Sequence, residues 1–316
     1  MNKTTKITTL IAALVLTVSL LASCAQEAGS GAVRVFYMNG STGMAMAKIV
    51  SDNKADNESA KYAFSAFTAA DQMTGDIIQG NFDIAAVPTP LALTLYKKTS
   101  GAVKVCAVTT LGVLYILDST GEIKSVSDLA GKTIYTTGVG SVPQFVIETV
   151  LEANNIEASV EYAPEASTVM GDMVMLPEPY VSSYLAKHPE AVRALDMTKE
   201  YRSAVGSSLF QACVIVRAGF AEDDPEKLEA FMSELASSVE FVNSDTDEAA
   251  QAIVDAGIVA SAKIAKSAIP GSNVVCVTGE KMKASLGTFF EKYTEMIDPD
   301  SAVKADDIAD MFYTGR

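Results

Sequence analysis

The chain alternates between short apolar segments and amphipathic segments, which predicts strands followed by helices. The short segments are rich in Val, Ile, Phe and Tyr, as strands are. Strands that alternate with helices favour mostly parallel sheets, whose ligands bind at the carboxyl ends of the strands. The predicted strands are Ala32–Met38, Tyr62–Phe67, Phe82–Val87, Val103–Thr109, Gly112–Leu117, Thr133–Thr136, Ala158–Tyr162, Asp172–Leu176, Gln211–Arg217 and Ile269–Val277.

The helices are predicted from apolar side chains at helical spacing and from residues that begin or end a helix. Asp224 caps a long helix, Pro225 occupies its first turn, and Gly80 ends a short helix. The segment Pro88-Thr89-Pro90 is predicted to be an extended turn, because proline disfavours helix in the residue before it. Other helices are predicted at Asp71–Gln79, Tyr180–Lys187 and Lys281–Met296, from Met44, from Pro143, up to Lys98, and as a capped turn at Ser127–Ala130.

Two small polar loops connect a predicted strand to a predicted helix. They are Asn39–Gly43 and Thr137–Ser141. In each loop, backbone N–H groups at the helix start converge on whatever lies beyond the strand. The second loop is not a Walker loop, because no Gly-Lys-Ser/Thr closes it, and Pro143 stands where a dinucleotide fingerprint needs Gly. The alternative is an ordinary connection that uses Gly for turn geometry.

The N-terminus has the pattern of an export signal. Two lysines precede the apolar run Ile7–Leu21, which is too short to span a bilayer as a permanent helix. The run ends in Leu21-Ala22-Ser23-Cys24, which resembles a bacterial lipobox. We therefore expect residues 1–23 to be a lipoprotein signal peptide, Cys24 to be lipidated, and residues 24–32 to be a tether on the extracytoplasmic face of the cell membrane. The alternative is a plain signal peptide with a chance cysteine.

Composition excludes several classes of partner. The chain carries 24 Lys and Arg against 39 Asp and Glu, a net charge of −15. Such an acidic surface repels nucleic acid and anionic lipid head groups, so we expect neither as a partner. Aromatic residues make up 7% of the chain and Trp is absent, so no platform for stacking bases or sugars is expected. No motif indicates a cofactor, and we expect a monomer.

Cysteine and histidine are sparse. Beyond Cys24 the chain has Cys106, Cys213 and Cys276, each in an apolar, strand-like segment. Their odd number and wide spacing favour three buried thiols over one disulfide and one spare thiol. With no Cys-x-x-Cys and a single histidine, the sequence argues against a structural zinc site.

Three segments carry a resemblance to a known family. Gly80–Pro90 is similar to its "G-x-x-D-I-A" turn, Ile123–Gly140 to its "I-K-S-x-x-D-L-K-G-K-x-I" segment, and Leu176–Tyr180 to its "x-x-E-P-Y" loop. The chain resembles, from Val33 to Phe220, the ABC-transporter substrate-binding proteins of the nitrate, sulfonate, taurine and thiamine-pyrimidine-precursor type. It departs from them in the short segment Pro164–Gly171, and it lacks the His- and Cys-rich signature of the precursor synthases.

The resemblance implies an α/β, type II periplasmic-binding-protein fold with two α/β lobes joined by a two-crossover hinge. The first lobe would comprise residues 33–109 plus 214–316, and the second residues 110–213. The crossovers would be Thr109–Gly112 and Phe210–Cys213. A ligand would lie between the lobes.

The same resemblance implies that four loops face this cleft. They are Asn39–Thr42, Pro88–Pro90, Thr137–Ser141 and Glu178–Tyr180. The bland alternative for each is turn or cap chemistry, which takes Ser, Thr and Asn for local reasons. The expected ligand-binding residues are Asn39, Gly40, Ser41, Thr42, Pro88, Thr89, Thr137, Gly138, Gly140, Ser141, Glu178 and Tyr180.

The sign of the ligand's charge depends on Glu178. Two helix starts, near Ser41 and Ser141, favour an anion, but no Arg or Lys in the four loops offsets Glu178. If Glu178 faces the ligand, a neutral, zwitterionic or nitrogen-rich cyclic solute is favoured. If it caps the following helix, a sulfonate- or nitrate-type anion becomes the alternative.

The leading hypothesis is a lipid-anchored binding protein that delivers a small solute to the permease and ATPase of an ABC importer. The rival is an enzyme on the same fold. It is disfavoured because His188 lies at a polar helix end and no histidine neighbours a thiol in sequence. A membrane-bound sensor is a third class, but it would normally add a spanning helix and a signalling module.

Overall fold

The strands form two separate sheets. The computed structural model describes residues 31–55, 60–244 and 246–315. One sheet contains β1 (Val33–Met38), β2 (Tyr62–Phe67), β3 (Ile84–Pro88), β4 (Val103–Leu111), β10 (Phe210–Arg217) and β11 (Val274–Val277), in the order β11-β4-β10-β3-β1-β2. The other contains β5 (Leu114–Asp118), β6 (Thr133–Thr137), β7 (Ser159–Ala163), β8 (Met173–Pro177) and β9 (Val192–Asp196), in the order β7-β6-β8-β5-β9.

Helices cover both faces of the sheets. They are α1 (Ala47–Ala55), α2 (Ala70–Ile78), α3 (Thr89–Lys98), α4 (Val142–Ala153), α5 (Tyr180–Lys187), α6 (Met197–Val205), α7 (Ala218–Asp223), α8 (Pro225–Ser244), α9 (Thr246–Asp255), α10 (Ala262–Ala268) and α11 (Gly279–Ile297). In the described part of the chain, no helix combines the length and the apolar character needed to cross a bilayer. The predicted leader and Cys24 lie outside the described residues.

Several elements follow directly from local sequence signals. β2 and α5 have the predicted bounds. The helix α8 begins at Pro225, whose missing N–H needs no partner in a first turn. Its buried side chains recur at helical spacing and face the six-stranded sheet. They are Leu228, Phe231, Leu235, Val239 and Val242.

The expectation of mostly parallel sheets is wrong, because five of the nine strand pairings are antiparallel. The pairs that β1 makes with β2 and β3, and those that β6 makes with β7 and β8, are parallel. By contrast, β10 runs antiparallel to both β3 and β4. The chain enters β10 from the other sheet. Because no local βαβ crossover connects β10 to a neighbouring strand, β10 is not required to run parallel to it.

Two local predictions near prolines need correction. The segment Pro88-Thr89-Pro90 is not an extended turn, because α3 begins at Thr89 with Pro90 in its first turn. Proline is tolerated there, since the first N–H groups of a helix have no intrahelical acceptor. The predicted strand Ile269–Val277 is shorter than expected: Ile269–Gly271 is a 3-10 turn around Pro270, and only Val274–Val277 pairs as a strand.

The chain passes between the two sheets twice. The first passage is the pair 112–113, between β4 and β5, and the second is the segment 206–209, between α6 and β10. Thr109–Leu111 and Phe210–Cys213, assigned from the sequence to the crossovers, are residues of the adjacent strands β4 and β10. The division into lobes at residues 109 and 214 stays a prediction.

One apolar cluster runs through both sheets. It includes Val87 and Val105 from the six-stranded sheet and Ile116 and Ile134 from the five-stranded sheet. Helix α11 joins the two parts, because Phe289 packs edge-on against Phe145 of α4, with ring centroids 5.8 Å apart. The opposite faces of the two sheets have their own apolar clusters.

Candidate functional site

The candidate site lies at the edge of the six-stranded sheet where β1, β3 and β4 end and β10 begins. Asn39 follows β1, Thr89 follows β3, Thr109 lies near the end of β4, and Gln211 is the second residue of β10. Because β4, β10, β3 and β1 are consecutive neighbours in the sheet, these four residues lie side by side. We call them the polar edge.

Each residue of the polar edge carries a buried oxygen atom that makes no hydrogen bond within the protein, apart from the weak contact of Thr89 with the Cys213 thiol. These atoms are Asn39 Oδ1, Thr89 Oγ1, Thr109 Oγ1 and Gln211 Oε1, and the statement covers the residues described above. A buried polar atom without a partner costs about 1–3 kcal/mol. Such atoms are uncommon in folded proteins, and four of them on adjacent strands make this edge a candidate binding site.

Two of the predicted loops contact each other beside this edge. A Cβ built on Gly40 would lie 3.7 Å from Pro179 Cδ, so the loop after β1 approaches the loop that precedes α5. Gly40 has a φ of +81°, which explains the glycine at this position. The Thr110 hydroxyl donates to the Ser41 carbonyl at 3.2 Å. Both Ser41 and Thr42 are buried.

The loop before α4 is held by its own contacts and by α11. The Ser141 hydroxyl donates to the Gly138 carbonyl at 2.7 Å, and the Tyr293 hydroxyl donates to the Gly140 carbonyl at 3.0 Å. Thr137 is half-buried at the end of β6. Among the residues that the structure describes, no hydrogen bond joins this loop to the other three predicted loops. In the described part of the chain, no hydrogen bond joins the polar edge to the predicted ligand-binding residues of this loop, which are Thr137, Gly138, Gly140 and Ser141.

Glu178 is held within its own part of the molecule. Its carboxylate accepts hydrogen bonds from the backbone N–H and the hydroxyl of Ser182, both at 3.1 Å, and it pairs with Arg193. The residue is 1% exposed, whereas Tyr180 is 42% exposed. Burial raises the pKa of Glu178 above its usual range, although Arg193 and Ser182 act against that rise. This arrangement matches the alternative in which Glu178 caps the following helix. Its counter-charge comes from Arg193, which lies outside the four predicted loops.

Arg193 extends this ion pair to a segment that precedes β11. Its guanidinium lies 4.7 Å from the ring centroid of Tyr115, and the Tyr115 hydroxyl donates to the Gly271 carbonyl at 3.0 Å. A Cβ on Gly271 would come within 2.7 Å of Arg193 Nη1 and 3.0 Å of Glu178 Oε1. Glycine at position 271 thus leaves room for the Glu178–Arg193 pair in its present position.

The three thiols and His188 lie in surroundings that suit a structural role. The prediction of three buried thiols is confirmed for Cys106 and Cys213 and is wrong for Cys276, which is unpaired but half-buried. Burial raises the pKa of Cys213 to about 12, although a hydrogen bond with the Thr89 hydroxyl acts against that rise. His188 ends α5, where its ring stacks on Tyr184 with centroids 4.1 Å apart.

Sequence reasoning missed three residues of this region. Thr109 and Gln211 were assigned to the crossovers and were not predicted to contact a ligand. A signal existed in the pair Thr109-Thr110 and in Gln211, which are polar residues at the ends of apolar strands. Arg193 was missed because β9 was not predicted.

The fold is that of the periplasmic binding proteins of ABC transporters. An ABC transporter from Parabacteroides distasonis has a TM-score of 0.71 at 18% identity, with 85% of this chain and 94% of that chain covered. The periplasmic aliphatic sulphonate binding protein SsuA from Escherichia coli has a TM-score of 0.69 at 15% identity, with 90% and 93% covered. The periplasmic nitrate-binding protein NrtA from Synechocystis has a TM-score of 0.63 at 12% identity, with 89% and 86% covered.

These neighbours agree with the resemblance drawn from the sequence and confirm the α/β, type II periplasmic-binding-protein fold. No protein-family model matches the sequence. A comparison with curated proteins also finds no match.

Proposed function

We propose that this protein is the solute-binding component of an ABC importer, held by a lipid on the extracytoplasmic face of the membrane. It captures a small organic solute between two lobes and delivers it to the permease. The observation that carries this proposal is the polar edge, whose buried oxygens lie where proteins with open α/β sheets bind ligands. The fold shared with sulphonate- and nitrate-binding proteins supports it.

The proposed mechanism is hinge closure. Residues 33–109 plus 214–316 form one lobe and residues 110–213 form the other, with the hinge where the chain passes between the sheets. Ligand contacts from both lobes favour the closed state, and docking on the permease reopens it. The close approach of the loops at Gly40 and Pro179 supports this position as the place where the two lobes meet.

The proposed ligand contacts come from Asn39–Thr42, Pro88–Thr89, Thr137–Ser141 and Tyr180, together with Thr109 and Gln211. Glu178 serves instead to cap α5, since its carboxylate is already paired. Its pairing also removes the earlier argument against an anion, so an anionic solute is kept as an alternative to be tested.

The binding experiment uses purified residues 25–316. The protein is equilibrated with a metabolite extract and re-isolated, and the retained small molecules are identified by mass spectrometry. We expect one solute or a few related solutes to be retained unchanged, to raise the melting temperature, and to reduce the radius of gyration in solution scattering. Chemical conversion of the solute without a transporter would favour an enzyme, and retention of nothing would contradict the proposal.

The lipid anchor is tested separately with Cys24→Ala. Two acyl chains are needed for stable membrane binding, so removing the acceptor thiol should release the protein or leave the leader attached. Membrane fractions and the mass of the mature N-terminus report the result. Unlipidated wild-type protein as the main stable form in the medium would contradict the anchor while leaving solute binding intact.

A further inference from the structure

The polar edge also carries information about the class of solute, on the assumption that the proposed function is correct. Adjacent strands of a sheet lie about 4.8 Å apart, so the four consecutive strands β4, β10, β3 and β1 span roughly 15 Å. A solute a few ångströms across therefore reaches neighbouring residues of the polar edge and not all four at once.

Two of these residues are directed by irregularities in the sheet. In the register of β10 with β4, Phe210 pairs with Leu111, Ala212 with Thr110, and Cys213 with Val108. Gln211 is thus the extra residue of one bulge on β10, and Thr109 is the extra residue of the next bulge on β4. β-Bulges commonly redirect side chains beside binding sites. Both bulged residues carry buried oxygens without partners.

All four side chains of the polar edge are uncharged. Glu178 and Arg193, the ionic groups of the candidate site, form an ion pair and neutralise each other. The thiol beside Thr89 is a weak partner, and burial holds it in the neutral form. A bound anion would therefore contact only the amide and hydroxyl groups of the polar edge. Arg193, the positive side chain of the candidate site, is already paired with Glu178.

The start of α3 does not compensate for this. A helix N-terminus attracts an anion only modestly, and Pro90 removes one N–H donor from the first turn. The amides of Asn39 and Gln211 can present either their oxygen or their nitrogen to a ligand. In either orientation they can hydrogen-bond a neutral group, whereas a buried charge would lack a counter-charge here because Glu178 and Arg193 are already paired.

We infer that the solute is an uncharged small molecule with several N–H or O–H groups, such as a primary amide, a urea or a lactam. The bound solute supplies hydrogen bonds to those buried oxygens of the polar edge that it reaches.

The first experiment compares neutral and anionic probes of matched shape. Ethanesulfonamide is paired with ethanesulfonate and nicotinamide with nicotinate, and urea and nitrate are added. Melting temperature and titration calorimetry are recorded at low and high ionic strength. We expect neutral members to raise the melting temperature more than their anionic partners, with little dependence on salt.

The second experiment uses near-isosteric variants of the polar edge. Thr89→Val and Gln211→Leu should each weaken binding of the best neutral probe about 3–10-fold, the effect of losing one hydrogen bond. They should also raise the ligand-free melting temperature by roughly 2–4 °C, because each removes an unsatisfied buried atom. The exposed Gln251→Leu on α9 is the matched control and should change neither quantity.

The outcomes separate this inference from the proposed function. Preferential binding of nitrate, ethanesulfonate or nicotinate would overturn the uncharged class while leaving a solute-binding protein. Lower ligand-free melting temperatures for both variants would also overturn it, because the side chains would then be structural. No shift with any probe, together with no solute retained from the metabolite extract, would contradict both.

Discussion

At the scale of single residues, the Glu178–Arg193 pair holds the start of α5 against β9. The Glu178 side chain is fully buried, whereas the Arg193 side chain is 32% exposed. Removal of one partner of a buried ion pair leaves the other charge without compensation. The main energetic effect of the pair is therefore the loss of stability when one partner is replaced. Its own net stabilisation is smaller.

We expect Arg193→Met to lower the free energy of unfolding by about 2–3 kcal/mol, allowing for the partial exposure of Arg193. The double variant Glu178→Gln, Arg193→Met should recover part of that loss, because no buried charge is left. Chemical denaturation of both variants measures the difference. Lys199→Met, which removes an exposed pair with Asp196, is the control and should change stability by less than about 0.5 kcal/mol. A double variant as unstable as the single one would contradict this account.

A second charged cluster lies at the opposite end of the six-stranded sheet. Burial alone would raise the pKa of Asp83, but hydrogen bonds from Arg34 and Arg217 outweigh it and lower that pKa to about 2. The carboxylate lies 2.8 Å from Arg34 and 2.9 Å from Arg217.

The effect of Asp83→Asn should therefore depend on pH. The pKa of Asp83 is lower in the folded protein than in the unfolded chain, so its ionised form stabilises the fold above about pH 4. That contribution is lost as the pH falls towards 2. We expect the variant to be about 1–2 kcal/mol less stable at neutral pH, after allowing for the solvent exposure of Arg34, with the deficit shrinking below pH 4. Denaturation at several pH values measures this, and a constant deficit would be contrary evidence.

At the scale of elements, helix α11 connects the two sheets through aromatic contacts. Phe289 packs edge-on against Phe145 of α4 and Phe210 of β10, with centroids 5.8 and 5.7 Å apart. The side chain is 1% exposed. The proposed hinge closure would therefore have to preserve these contacts or slide along them.

Phe289→Ala should lower the free energy of unfolding by about 3–5 kcal/mol, since it leaves a cavity where several rings meet. Thr288→Ala, one position earlier on the exposed side of the helix, should change stability by less than about 0.5 kcal/mol. Equilibrium denaturation compares the two variants. Equal effects would mean that α11 contributes little packing at this point.

Elements with strong local signals could be predicted from the sequence, and those fixed by distant pairing could not. The β9–α6 unit shows both cases. Asp196 caps α6 and Gly206 ends it with a φ of +69°, so its signals were present but were missed. β9 is a short edge strand that includes Arg193 and an exposed Val192, and its pattern is too weak to identify alone.

The same distinction applies to the candidate site. Asn39 and Thr89 could be predicted, because each directly follows an apolar strand. The bulges at Thr109 and Gln211 depend on the register between two strands that lie about a hundred residues apart in the chain. Pairing of Glu178 with Arg193 likewise depends on β9 reaching the edge of the second sheet. A local pattern contains no information about such register.

At the scale of the whole molecule, the two sheets differ in how continuous they are in sequence. Every strand of the five-stranded sheet comes from residues 114–196. The six-stranded sheet combines β1 to β4 with β10 and β11, and β10 lies between β3 and β4. Removing the C-terminal part would therefore separate β4 from β3 and expose the apolar face that α8 covers.

A fragment of residues 32–206 should for this reason fail to unfold cooperatively. A matched fragment of residues 112–209 keeps a complete sheet with α4 and α6, so it should retain a cooperative transition at a lower temperature than the full chain. Its loss of stability follows from the removal of Phe289 and Tyr293, which pack on Phe145. Calorimetry of both fragments beside residues 25–316 measures this. A sharply melting 32–206 fragment would refute the discontinuous lobe, because the first sheet would then be stable without its central strand.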